Sequence, residues 1–295
     1  MLNETLPFFS FIVLSYNRNA DVVFTIDQIV NSGFNDYEII VVDNGSSDGT
    51  SENISSLYGD LGKIRLIKLK KNVGISGWNY GAEVAKGKYL WFLDDDSHPL
   101  PSSMEKAFEV IRTEKLQAIA CRVEHFPGAS GLIIDSKNVR PKVKSFCGCG
   151  AIVEKDIFNK LKGFWSEIFV YAHEMEFGVR LYNMGVPIYY VDEVVVNHRA
   201  EARISGFKYY HTRKSLSLMY YRYLPKSYSL VYILMRFFIT IIHHFKKLHI
   251  VYIKEEWKGL KDASRVFLKG KVEPYKLDSG TKNNFFFKKG FVLND

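Results

Sequence analysis

The chain has 295 residues, 47% hydrophobic and 15% aromatic, enough to bury a full core and too apolar for a disordered or fibrous protein. Forty Lys and Arg against 32 acids give a net charge of +8, and the excess is local: residues 207–271 carry fourteen basic side chains against Glu255, Glu256 and Asp262. Cys121, Cys147 and Cys149 are odd in number, and Cys147-Gly148-Cys149 is too tightly spaced for a comfortable disulfide or a four-ligand zinc site, which excludes a disulfide framework and fits a reducing cytoplasm.

The first half alternates strand-like and helix-like segments. Strands are expected at 8–14, 38–42, 64–69 and 89–93, with helices at 21–31, 50–58 and 77–86 between them. The apolar run 6–14 is expected to be the first strand and not a signal, because it lacks a basic leader and a small-residue cleavage site. A βαβ series of this kind predicts a parallel, doubly wound sheet, with ligands outside the carboxyl ends of the strands. Beyond Pro99 a helix is expected at 102–113, a strand at 118–123, a Gly-containing excursion at 128–140, and a strand at 145–153 interrupted by Cys147-Gly148-Cys149-Gly150. A helix from about Glu174 to Gly185 and a strand at 187–197 running into His198 follow. From Phe207 on the chain is expected to be helical.

Two strand ends carry dense polar groups. The buried run Tyr89-Leu90-Trp91-Phe92-Leu93 drives into Asp94-Asp95-Asp96. Three adjacent like charges persist cheaply when a divalent cation neutralises them, and strand alternation predicts Asp94 and Asp96 on one side with Asp95 opposite. A polar turn capping the next helix is the plainer alternative. After the second strand comes Asp43-Asn44-Gly45-Ser46-Ser47-Asp48-Gly49, where Ser55 stands in place of the Glu that a calcium loop requires. Recognition of a nucleoside by Asp43, or an ordinary Asx turn, remain the two readings. There is no Gly-x-Gly-x-x-Gly after a strand and no phosphate loop, so a bound nucleotide would need a metal for its phosphates. His173-Glu174-Met175-Glu176 lacks the second histidine of a zinc protease helix. Glu174 at a helix start is either a dipole-favouring cap or a functional acid, set among Phe164, Trp165, Phe169 and Tyr171, which suit a sugar ring. The apolar tract 228–242 is about fifteen residues, short of the roughly 20 needed to span a bilayer. With the surrounding Lys and Arg it suits an interfacial helix against anionic lipid, or a core helix with a solvated charged face; nucleic-acid binding lacks a motif.

Taken in order, Ser15-Tyr16-Asn17-Arg18, Val41 to Thr50, Asn72-Val73-Gly74 with Gly77-Trp78-Asn79, Leu93 to Asp96, Gly163-Phe164, the acidic helix start and the strand ending in His198 resemble a family 2 glycosyltransferase over roughly residues 7–199. The resemblance implies a GT-A, Rossmann-like α/β fold with a mostly parallel sheet, a catalytic domain at 1–206 and a helical, basic and aromatic region at 207–295. It implies donor contacts from Asp43, Tyr16, Asn79, Asp94 and Asp95, a Mg2+ or Mn2+ ion at Asp96, Asp94 and His198, and Glu174 as catalytic base where the family commonly has Asp. It further implies inverting transfer from a UDP- or dTDP-sugar, rhamnosyl, galactofuranosyl or another hexosyl, to a hydroxyl of a cell-surface polysaccharide or lipid-linked oligosaccharide. The expected location is the inner face of the membrane, with peripheral contact through the C-terminal helices and no nucleic-acid partner. Donor choice is expected from Asn79 and the 128–140 excursion. The competing readings are a nucleotidyltransferase, which would need a basic Gly-rich loop after the first strand, and a non-catalytic membrane-associated scaffold.

Overall fold

Hydrophobic residues fill both faces of β1 (Phe9–Ser15), β2 (Tyr37–Asp43) and β4 (Tyr89–Asp94), the pattern of strands covered on both sides by helices. The computed structural model describes residues 6–125, 140–199, 205–246 and 252–287. Most of the 128–140 excursion therefore lies outside the described residues. The chain divides into two compact units, one of Met1–Trp165 and Arg180–Glu201, the other of Ser166–Val179 and Ala202–Asp295.

In the first unit β3 (Ile64–Lys68), β2, β1 and β4 form a parallel half-sheet. It continues through β8 (Ala151–Glu154), β6 (Ala118–His125), β9 (Ile188–His198) and β5 (Ser97–Pro99), and β7 (Lys142–Val143) pairs with β9. β5, β7 and β8 run against the direction of the other strands, so the sheet is mixed but mostly parallel, as expected. β5, β7 and α5 (Lys155–Lys160) are too short to show a period in sequence.

One face of the sheet packs on α1 (Asn19–Val30) and α4 (Pro101–Glu114). Phe9, Phe11 and Trp91 meet there with ring centroids 5.1–6.0 Å apart, over Val22, Ile26, Met104 and Ile111. α2 (Thr50–Tyr58) follows the second polar loop. The other face takes α3 (Gly77–Val84), and here the approach is close: a Cβ on Gly81 would lie 2.4 Å from Ile12 and 3.1 Å from Val42, and one on Gly77 would displace the end of the Leu14 side chain, 2.2 Å away. These two residues, four apart on one helix face, let the α3 backbone lie directly on the strands. Register then fixes the polar edge. Ser15 pairs with Asp43 and Leu14 with Asp94, so the two carboxylates flank the end of β1.

The second unit contains the start of α6 (His173–Asn183), then α7 (Gly206–Tyr223), α8 (Lys226–Lys246), α9 (Ile253–Leu268) and α10 (Ser279–Lys282). Tyr221 stacks on Phe267 at 4.2 Å, and a buried ion pair joins Arg213 of α7 to Glu256 of α9. α8 is 21 residues long, and its stretch Lys226–Phe245 is long and apolar enough to cross a membrane by length and composition. The fifteen-residue expectation was too short because the helix continues through His243 and His244 and starts two residues earlier.

Candidate active site

Two loops at the carboxyl edge of the half-sheet are laced together. Asn17, at φ 52°, donates its N–H to Ser46 Oγ (2.9 Å) and accepts from Ser47 N–H (2.8 Å), while Asn19 N–H donates to Asp48 (3.1 Å). Asp43 is buried and accepts from Ser46 N–H (2.8 Å) and from the Ser51 hydroxyl, so it holds its own loop. Asn44 reaches across to the next turn, accepting from Val73 N–H (2.9 Å) and donating to Gly74 O (3.0 Å) and Asn72 (3.1 Å). That is why Asn72-Val73-Gly74 accompanies the motif of the second strand.

Backbone contacts at and around the acidic triplet set its position. Trp78 Nε1 donates to Leu93 O (3.1 Å), terminating the strand. Thr25 Oγ1 donates to Asp95 O (2.7 Å). Arg199 donates its N–H to Asp96 O (2.9 Å) and its guanidinium to Asp21 O (2.9 Å), beside His98 Nδ1 at 3.1 Å. β5 then pairs with β9, Ser97 opposite His198, which brings the histidine to the turn.

β4 ends at Asp94, and Asp95 and Asp96 lie in a turn, so strict alternation does not carry through the triplet. The side chains are nonetheless divided. Asp96 Oδ1 is buried and sits 3.2 Å from His198 Nε2. Asp94, Cys149 and His198 bring one ligand atom each to within 4.8 Å of one another. Asp95 instead accepts from Tyr16 N–H (3.2 Å) and is 7% exposed. Arg18 forms an ion pair with Asp96 and lies 3.6 Å from Asp95. Burial, then Asp96 and Asp94, pushes the Asp95 carboxyl up to about 8. Burial would also raise Asp96, but His198 and Arg18 outweigh it and hold the group below the usual carboxylate range.

The other expected residues fall as follows. Tyr16 leaves its ring 45% exposed beside this turn. Asn79 has both ends of its amide on the Phe164 backbone, donating to its carbonyl and accepting from its N–H at 2.8 Å each. The amide therefore fixes the turn at Phe164. Gly163, at φ +69°, passes so close that a Cβ would lie 2.5 Å from Asn79 Oδ1. In the second unit, Glu174 opens α6 with its carboxylate 3.3 Å from His173 Nδ1. Tyr171 and Ala172 just before it both have φ 60°, which costs non-glycine residues on the order of 1–2 kcal/mol each. Such strain gathers at functional segments. Glu176 is fully buried, bonded by Tyr223 OH (2.6 Å) and 3.3 Å from Arg222.

Arg199 was not singled out by sequence, and Cys149 was considered there only as part of a pair unfit for a disulfide or a four-ligand zinc site. Arg199 directly follows His198, which was a usable signal; the position of Cys149 depends on an antiparallel register that no motif shows.

The residues fit a divalent ion: the Asp94 carboxylate, the Cys149 thiol and the His198 imidazole converge within 4.8 Å, and the Asp96 carboxylate lies against the same imidazole at 3.2 Å.

A mostly parallel sheet with acidic groups at its carboxyl edge is the architecture of GT-A-fold proteins. The S. aureus TarS 1–349 complex with UDP-GlcNAc aligns over 92% of this chain and 93% of its own, at 15% identity and a TM-score of 0.57. GalNAc-T7 with UDP, GalNAc and Mn2+ aligns over 76% of this chain and 49% of its own, at 14% identity and a TM-score of 0.61. The family described as glycosyl transferase family 2 matches residues 10–165, and the chain belongs to that family. It is 38% identical over 111 residues to the Campylobacter jejuni GalNAc(5)-diNAcBac-PP-undecaprenol beta-1,3-glucosyltransferase, covering 35% of this chain and 36% of that protein. The chain spans about two fifths or less of the length of the curated relatives it matches first.

Proposed function

We propose that the protein is a metal-dependent, inverting glycosyltransferase, moving one sugar from a UDP- or dTDP-sugar to a hydroxyl of a polysaccharide or lipid-linked oligosaccharide. The observation that carries this is the meeting of Asp94 and His198, with Asp96 3.2 Å from the same imidazole, beside the Asp43 and Tyr16 loops at one sheet edge. In this reading Asp43 and the Tyr16 ring receive the nucleoside, and Asp96, Asp94 and His198 hold Mg2+ or Mn2+. The ion, when bound, neutralises charge on the departing nucleoside diphosphate. Asp95 keeps the Tyr16–Arg18 loop in place through the Tyr16 N–H, and Asn79 fixes the Phe164 turn. Glu174, by its place in the family pattern, removes the acceptor proton as the hydroxyl attacks. The catalytic domain is taken as 1–206, with 207–295 as the acceptor-side or membrane-side region.

Contact with the inner membrane face is part of the same proposal. On α8 the buried residues Ser229, Ile233, Phe237 and His244 form one stripe, while Leu230, Val231, Phe238, Ile239 and Ile242 are exposed. Trp257 of α9, 5.4 Å from Phe237, is exposed beside Lys254, Lys258 and Lys261. Because α8 packs along a helix this charged, it suits the interface plane better than a span.

The deciding experiment is Glu174→Gln. It should leave UDP or dTDP binding by calorimetry intact while turnover collapses by roughly 100-fold or more. Loss of nucleotide binding instead would make Glu174 structural.

A further inference from the structure

The donor set at the acidic turn contains a group that a hard ion does not call for. Phe92 pairs antiparallel with Ala151, and continuing that register sets Asp94 opposite Cys149. The turn is pinned by Gly150 N–H to Cys147 O and Cys121 N–H to Gly150 O, both at 2.8 Å. Cys149 is a free thiol, 2% exposed, and its ligand atom lies within 4.8 Å of those of Asp94 and His198. His198 Nε2 is also 3.2 Å from Asp96 Oδ1. Mg2+ and Mn2+ gain little from sulfur, whereas zinc-class ions take thiolate, imidazole and carboxylate together. The Cys147 sulfur lies 3.6 Å from that of Cys149, and Cys149 joins donors from two other chain positions, Asp94 and His198.

We propose that this centre also takes a thiophilic divalent cation of the zinc class, held by Asp94, Cys149 and His198, in competition with the hard ion of catalysis. The inference rests on reading the acidic turn as a metal site. A tetrahedral ion with bonds of about 2.0–2.3 Å holds its ligand atoms roughly 3.3–3.8 Å apart, so side-chain rotations of about an ångström close the set. Ligation forms a metal–sulfur bond and releases the Cys149 thiol proton to solvent; no oxidant is involved. A zinc-class ion that takes Asp94 and His198 displaces the hard ion that would receive the donor diphosphate, so the two ions compete for one site.

The test uses the full chain, reduced and stripped of metal. Zn2+ affinity is measured against a chromophoric chelator, Mn2+ binding by electron paramagnetic resonance, and Co2+ is added as an optical probe of sulfur ligation. The wild type and Cys147→Ser should show a thiolate-to-cobalt charge-transfer band that Cys149→Ser lacks. Cys149→Ser should lose roughly 100-fold in Zn2+ affinity while Mn2+ affinity changes less than about threefold. Thermal melts establish that both variants are folded. Equal Zn2+ affinity in wild type and Cys149→Ser, or no sulfur band, would overturn the inference while leaving Mn2+ binding, and the proposed function, standing. Failure of both ions to bind the wild type would overturn both. A sulfur band with no Mn2+ binding supports the inference and removes the hard-ion reading.

Discussion

Replacing Asn79 by Ala separates two roles that the sequence could not distinguish. The amide makes two 2.8 Å hydrogen bonds to the N–H and C=O of Phe164, whose ring is buried 5.6 Å from Trp78 and 5.0 Å from Phe92. Each bond contributes about 0.5–1.5 kcal/mol net, and leaving the two backbone groups unpaired adds to the loss, so the expected cost is about 2–3 kcal/mol. At roughly 2–4 °C per kcal/mol for a unit of this size, the melting temperature should fall by roughly 4–12 °C. The assay is urea or thermal denaturation followed by circular dichroism, with KM for the sugar nucleotide measured well below the new midpoint. Stability should fall while KM stays within about twofold. An unchanged midpoint with KM raised tenfold would refute the clasp and restore Asn79 as a donor contact.

Asp96→Asn should abolish the Mn2+-dependent part of UDP binding by calorimetry and drop turnover by roughly 100-fold or more; near-normal turnover of the folded variant would remove the metal assignment. Tyr223→Phe withdraws a 2.6 Å hydrogen bond from the buried Glu176 carboxylate and should cost about 1.5–3 kcal/mol in urea denaturation, whereas a loss under about 0.5 kcal/mol would show that Arg222 suffices. Burial, then Arg199, lowers the His98 imidazole to about 4, so the native state favours the neutral ring. The contribution is complete above about pH 6.5 and is lost as pH falls from there towards 4, by at most about 1.4 kcal/mol per pH unit; His98→Asn should flatten that slope, and an unchanged slope would assign it elsewhere. Phe238→Glu with Ile242→Glu should abolish co-sedimentation with anionic liposomes, and salt should weaken the wild-type binding; retained binding in the double variant would clear α8 of that role.

Much of the first unit was legible because its elements are long and periodic. β1, β2 and β4 carry runs of apolar residues, and each helix of the half-sheet lies within two residues of its expected bounds. The polar edge was legible where charged or polar residues end a strand, at Asp43, Asp94 and His198. The Asn79 clasp was not legible because an amide beside a conspicuous motif looks the same whether it meets a ligand or the backbone of residue 164, 85 positions away. The 171–172 strain was invisible for a related reason, since Tyr and Ala carry no sign of a left-handed backbone.

The sequence by itself determined the alternation of strands and helices, the acidic strand tips and the basic, aromatic C-terminal segment, because burial and charge repulsion act on neighbouring residues. Tertiary structure alone decided which distant groups meet. It brought Arg199 and His98 behind the acidic turn, Arg18 onto Asp96, and Cys149 beside Asp94. Those meetings follow from strand register and helix packing, in which a shift of one residue changes the partner while leaving composition and period unaltered.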